Sequence, residues 1–330
     1  MAKKVIVIGG TGLLGYHTTL ELLSKGYEVT SLALPPLPVE DLFPEGVESL
    51  FGNLNDMSDE EILAIFKGAY AVFYAAGADE RVTPPAPSSY FFYEQNVVPT
   101  QRIARLAREA GVKKFVLYGS YTARFAEEWP ELGYATRNGY PRTRLLQEEV
   151  ACIEGAGEMD VMTLRLPFIF GTMPGRTPLW QMFIDIVRKQ PEVVVVQEGS
   201  TSSVTVGHVA QAAVGAMENG SHEGRYAINM HNLSYRDFHR IICEELDRDP
   251  AQVITVPLEA VKETMEGYDA QAASAGVEHG IHLADSAVFQ SRDAVTDPAE
   301  TVELLGLREE SVEDAIRESI RYCLAQEAKA

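Results

Sequence analysis

The hydrophobic pattern opens with Val5-Ile6-Val7-Ile8, apolar at every position and not at every second one. A run this short and this continuous predicts a strand buried on both faces. It empties into Gly9-Gly10-Thr11-Gly12-Leu13-Leu14-Gly15. From there a helix is predicted that carries Leu14, Leu20, Leu22 and Leu23, with Gly26 as the stop. The same alternation repeats along the chain. Strands are predicted at 27–34, 47–51, 70–75, 115–118 and 161–166. Helices are predicted at 13–25, 97–110 and 140–154, with another ending at Phe66 and capped by Ser58-Asp59-Glu60-Glu61. Residues 79–92, rich in proline, serine and aromatics, read as a mobile loop over a site. Strands alternating with helices predict a parallel, doubly wound α/β sheet.

After Pro167 the rhythm changes, with Pro174, Pro178 and Pro191 breaking the chain into short elements. Helices at 179–189, 208–218 and 234–246 alternate with strands at 193–196 and 225–229. A last helix at 311–326 carries Ser311 and Asp314 as a capping pair. The expected division is a dinucleotide-binding part at 1–170 and a smaller substrate-binding lobe at 171–330, with the segment near 225–229 returning to the main sheet.

Charge narrows the partners. Against 28 Lys and Arg stand 48 Asp and Glu, a net charge of −20. Nucleic acid and anionic membrane are therefore unexpected partners. Cys152, Cys243 and Cys323 are odd in number and lie in no CxxC motif, which predicts reduced thiols and a cytoplasmic protein. His279 and His282 have metal-like spacing but no third ligand nearby, and they read as surface residues. His208, at a helix start, reads as structural. No metal is expected.

Three glycines at 9, 12 and 15, between a strand and a helix, carry a specific chemistry. They permit a tight turn and close backbone approach to a pyrophosphate, at which the helix aims its first amides. Further stretches appear in order: Gly52-Asn53-Leu54-Asn55-Asp56, Val72-Phe73-Tyr74-Ala75-Ala76, Asn96-Val97-Val98-Pro99-Thr100, a strand from Phe115 to Ser120, and Leu164-Arg165-Leu166-Pro167-Phe168-Ile169-Phe170-Gly171. Together they resemble the extended branch of the short-chain dehydrogenase/reductase superfamily, which includes NAD-dependent epimerases and dehydratases. The likeness runs from about residue 4 to 250.

The resemblance implies a Rossmann-type fold and an NAD or NADP cofactor. Its expected contacts are Gly9, Thr11, Gly12, Leu13, Leu14 and Gly15 at the glycine loop. Asn53 and Leu54 would stand beside the adenine, and Ala75, Ala76, Gly77, Asn96 and Pro167 would line the rest. The second strand offers neither the acid that selects NAD nor the arginine that selects NADP, since Ala33 and Leu34 stand there. The balance is placed slightly toward NAD.

The resemblance also implies a catalytic tyrosine with a lysine four residues on. Here the pair is Tyr140 and Arg144, one helical turn apart. Tyr134, followed by Asn138, and Tyr121, directly after the serine, are weaker candidates. A cation beside a phenol favours its ionised form, and arginine keeps that charge while being unable to release a proton. Ser120 would orient the substrate oxygen, with Thr122 as a second hydroxyl. Tyr121, Phe168, Arg176 and Trp180 are the expected substrate contacts. The expected reaction is oxidoreduction or epimerisation at a hydroxyl or carbonyl carbon of a small molecule, sugar derivatives included. A dehydratase is disfavoured, because Tyr121-Thr122-Ala123 stands where that group has an acid pair. A non-catalytic dinucleotide-binding sensor or scaffold is the alternative. A homodimer is expected through the helix after Asn96 and the Tyr140 helix, using Ile103, Leu106, Leu145 and Leu146.

Overall fold

The computed structural model describes residues 2–329. Its elements are β1 (Lys4–Ile8), α1 (Leu13–Ser24), β2 (Glu28–Ala33), β3 (Val47–Phe51), α2 (Asp59–Phe66), β4 (Ala71–Tyr74), α3 (Ser88–Phe92), α4 (Val98–Glu109), β5 (Lys114–Ser120), α5 (Tyr121–Glu128), α6 (Tyr134–Arg137), α7 (Gly139–Gly155) and β6 (Asp160–Leu166). They continue as β7 (Phe168–Phe170), α8 (Gln181–Arg188), β8 (Val194–Gln197), β9 (Ser200–Thr205), α9 (Val206–Asn219), β10 (Gly224–Ala227), β11 (His231–Ser234), α10 (Tyr235–Glu245), β12 (Val253–Val256), α11 (Leu258–Ser274), α12 (Leu283–Gln290), α13 (Val302–Leu305) and α14 (Val312–Glu327).

Seven strands make one parallel sheet in the order β10-β6-β5-β4-β1-β2-β3. Winding reverses between β1 and β4, which opens a crevice at their C-terminal ends. The unbroken apolar run of β1 follows from burial on both faces. Val5 and Val7 pack with Leu22 and Val209 beneath α1 and α9. Ile6 and Ile8 face the other way, among Ile62, Phe66, Ile103 and Leu106 under α2 and α4.

Beyond β6 the chain builds two smaller sheets, β11-β9-β7 and β12-β8, around a core of Phe170, Trp180, Ile184 and Phe238. β10 pairs in parallel with β6, Tyr226 opposite Leu164. Segment 79–92 is more ordered than a loop reading suggests. Ala86 N–H donates to the Gly276 carbonyl, Ser88 N–H donates to Glu278, and α3 begins at Ser88. A single π-helical turn, Tyr93–Val97, then joins α3 to α4 and carries Asn96 inward. Such turns cluster at functional sites.

Candidate functional site

The glycine loop lies at the mouth of the crevice. Gly9 has a left-handed backbone, φ 80°, and a Cβ there would stand 2.6 Å from the Ala75 carbonyl oxygen. A Cβ on Gly15 would collide with the Gly9 carbonyl, so α1 packs directly on the turn. Gly12 is the N-cap, no side chain caps the helix, and its first turn holds no acid. The first intrahelical bond runs from Tyr16 N–H to the Gly12 carbonyl. The amides of Leu13 and Leu14 are therefore free to bind an anion. Gly9, Thr11, Gly12, Leu13, Leu14 and Gly15 form a cradle that fits a pyrophosphate.

Asn96 shapes the next wall. Its Oδ1 accepts from Ala78 N–H at 2.7 Å and its Nδ2 donates to the Ala78 carbonyl at 2.9 Å. This two-point grip fixes the chain leaving β4, so that Ala75, Ala76 and Gly77 line the crevice. Pro167 links β6 to β7 opposite them.

Ser120, Tyr140 and Arg144 come together above β5, all of them buried. Ser120 ends β5 and caps α5, accepting from Thr122 N–H at 3.3 Å and sharing a 2.9 Å hydrogen bond with the Thr122 hydroxyl. Tyr140 is set by the start of α7. Its N–H donates to the Gly280 carbonyl at 2.8 Å, and its ring meets Phe92 edge-on at 5.4 Å. The Arg144 guanidinium donates to Gln147 Oε1 at 2.7 Å and reaches the carbonyls of Tyr118 and Ala78, each at 3.4 Å. Its Nε is buried with no partner among the described residues, a donor that a ribose hydroxyl would satisfy.

Burial pushes the Tyr140 phenol up to about 12. Arg144 opposes that shift through charge and hydrogen bonding, Ser120 assists Arg144, and Glu80 reinforces the rise. Glu80 also raises the phenols of Tyr121 and Tyr134, though burial dominates both. Nothing in the sequence points to this charge effect, because Glu80 sits in an irregular segment with no motif around it.

The structure places other expected contacts elsewhere. Trp180 does not face the pocket. It is buried in the second core, stacked on Phe170 at 4.3 Å, with Nε1 donating to the Ile169 carbonyl. Arg176 donates from Nε to the Thr11 carbonyl at 3.0 Å, against the glycine loop. Tyr121 is buried, its hydroxyl bonded to Thr201 at 3.1 Å. Phe168 is half-buried between Trp180 and Tyr235. Asn53 spends its side chain on a local turn, donating to Asp56 and accepting from Asn55 N–H, while Leu54 packs against the core under α2. Tyr134 stacks on Phe289, and the cation three residues on, Arg137, is paired with Asp285. Ile103 and Leu106 are wholly buried under the sheet and unavailable to a partner, because the α4 stripe that carries them faces β4 and β5. His282 lies 3.1 Å from Glu278, and no metal-ligand cluster occurs among the described residues. His208 completes a capping box with Thr205 at the start of α9.

The model of the NAD dependent epimerase/dehydratase family matches residues 5–229. Sterol-4-alpha-carboxylate 3-dehydrogenase, decarboxylating, of Mus musculus is 28% identical over 227 residues, covering 64% of this chain and 59% of that protein. This chain spans 58–60% of the length of the sterol dehydrogenases it matches. A putative dihydroflavonol 4-reductase of Synechocystis is 21% identical, covering 98% of this chain and 95% of that one. Among solved structures, gox2253 shares the fold at a TM-score of 0.77 with 18% identity, covering 98% of each chain. The UDP-glucose 4-epimerase of Bifidobacterium longum, solved with NAD+ and UDP, does so at 0.68 with 17% identity, covering 98% of this chain and 98% of that one. The matched model spans well over half of the chain, and the chain belongs to the NAD dependent epimerase/dehydratase family.

Proposed function

We propose that this protein is an NAD(P)-dependent oxidoreductase or epimerase acting at a hydroxyl or carbonyl carbon of a small molecule. The observation that carries the reading is the convergence of Ser120, Tyr140 and Arg144 beside the glycine cradle. The bound nicotinamide supplies a hydride donor or acceptor. Gly9 to Gly15 would hold its pyrophosphate, and Arg144 a ribose hydroxyl. Ser120 donates a hydrogen bond to the substrate oxygen and fixes it beside the Tyr140 hydroxyl. With its pKa pushed up to about 12, Tyr140 holds its proton at neutral pH and is ready to give it to a carbonyl oxygen. Arg144 stabilises the phenolate left behind, which reclaims the proton when an alcohol is oxidised.

We further propose that the protein is a homodimer through α4 and α7 and works in a reducing compartment such as the cytoplasm. Val98, Leu146 and Ile153 are exposed on those helices, and all three cysteines are buried and unpaired. Among the described residues, no helix is long and apolar enough to cross a membrane.

Titration of the purified protein with NAD, NADH, NADP and NADPH, repeated on Tyr140→Phe, tests the reading. Saturable binding to both proteins, with turnover of a screened carbonyl or alcohol substrate by the wild type alone, supports it. Failure to bind any of the four would leave a scaffold that kept the fold and lost the ligand.

A further inference from the structure

The end of β2 poses a question that the second lobe answers. This is where an acid or an arginine ordinarily meets the adenosine ribose, yet Ala33 is buried and Leu34 carries no charge. The segment after β7 crosses to this place. His17 Nε2 donates to the Thr172 carbonyl at 2.8 Å and ties the segment to α1. Gly175, at φ 76°, lies so close to the chain after β2 that a Cβ would stand 2.6 Å from the Pro38 carbonyl oxygen. The next residue is Arg176, whose Nε donates to the Thr11 carbonyl at 3.0 Å.

Arg176 thus touches the glycine loop, and its neighbour Gly175 touches the loop that follows β2 at Pro38. Among the described residues Arg176 makes no ion pair, and neither Glu40 nor Asp41 in the neighbouring loop pairs with it. Its Nε bond fixes the guanidinium plane. The two terminal nitrogens make no hydrogen bond to the described residues, and such a fork suits a phosphate.

We infer that Arg176 binds the 2′-phosphate of NADP from the opposite lobe, in place of the arginine absent from β2, and that this chain prefers NADP(H) to NAD(H). The inference rests on the dinucleotide reading above and reverses the sequence-based lean toward NAD. A cation that reaches the ribose from the glycine loop would discriminate the two cofactors, because they differ only by that phosphate.

The test is the affinity of wild type, Arg176→Ala and Arg176→Lys for NADPH, NADH, 2′,5′-ADP and ADP, by calorimetry. Wild type should bind NADPH and 2′,5′-ADP about tenfold or more tightly than NADH and ADP, respectively, the range expected for a charge-assisted hydrogen bond. Arg176→Ala should lose that margin and leave NADH binding unchanged, and Arg176→Lys should keep part of it. Equal binding of NADPH and NADH by wild type would overturn the inference and leave the dinucleotide reading intact. So would an equal loss of both cofactors in Arg176→Ala, which would mark a pyrophosphate contact. Binding of none of the four ligands would overturn both.

Discussion

The guanidinium carbon of Arg144 stands 4.9 Å from the centre of the Tyr140 ring, one turn further along the same helix. At that distance it acts on the phenol through its field as well as its hydrogen bonds. It is itself held by Gln147 and by two backbone carbonyls. A lysine could carry the charge but not the planar fork that makes those three contacts at once.

Tyr140→Phe removes the transferable proton and little else, since the ring keeps its edge-on contact with Phe92. Turnover should fall about 10²- to 10⁴-fold, the usual span for losing a positioned acid or base. Dinucleotide affinity should stay at the wild-type value. Turnover within a few-fold of wild type, measured on the same substrate, would move the proton to Ser120 or another group.

Arg144→Met should raise the Tyr140 pKa further, because the cation that favours the phenolate is gone while burial persists. Alcohol oxidation, which needs phenolate, should slow about tenfold at fixed pH for each unit of that rise. The pH–rate profile in the oxidative direction should move to higher pH. Arg144→Lys should restore most of the profile, with a weaker grip on the Ala78 loop. Identical profiles for wild type and Arg144→Met would show that Arg144 serves only to pack α7.

Stability should fall at alkaline pH for a related reason. Burial raises the phenols of Tyr74 and Tyr140 to about 12 and lifts Tyr118, Tyr121, Tyr134 and Tyr235 as well. In the unfolded chain these groups ionise near pH 10. The folded state therefore binds more protons above that pH. The stability these phenols contribute is complete below about pH 10 and is lost as pH rises toward and beyond 12. Over that window the urea midpoint, measured at a series of pH values, should fall as phenolate absorbance rises. A midpoint constant from pH 9 to 11.5 would contradict the assignment.

The sequence exposes most clearly the parts whose local pattern and tertiary role coincide. β1, the glycine turn and α1 are of this kind, since an apolar run covered on both faces and a cradle built from backbone leave marks on every residue. Tyr140 and Arg144 can be picked out because the resemblance implies a tyrosine with a cation four residues on, and helix period puts such a pair on one face. Arg176 and Trp180 are not. Both sit in one proline-broken stretch, where the side-chain direction depends on how that stretch lies across α1 and the second core. α11 also escapes the pattern, because none of its residues is buried and it leaves no strong apolar stripe.

The α4 and α7 helices supply the last prediction. Ile103 and Leu106 cover the sheet, so any partner must be met by what remains outside. Leu146 and Ile153 lie seven residues apart on α7, hence on one face, and are 41% and 63% exposed. Val98 is exposed at the start of α4, and Gln101 bonds to Glu154, joining the outer edges of the two helices. Large aliphatic side chains on paired helices suit a second copy of the same surface, related by a twofold axis. Sedimentation of the wild type should give twice the chain mass, and Leu146→Glu with Ile153→Glu should give a folded monomer. Both positions face outward from the sheet, so the double variant should melt as a cooperative unit at wild-type secondary-structure content. A wild type that sediments as a monomer at all concentrations would remove the dimer, and a double variant that remains dimeric would move the interface to another face.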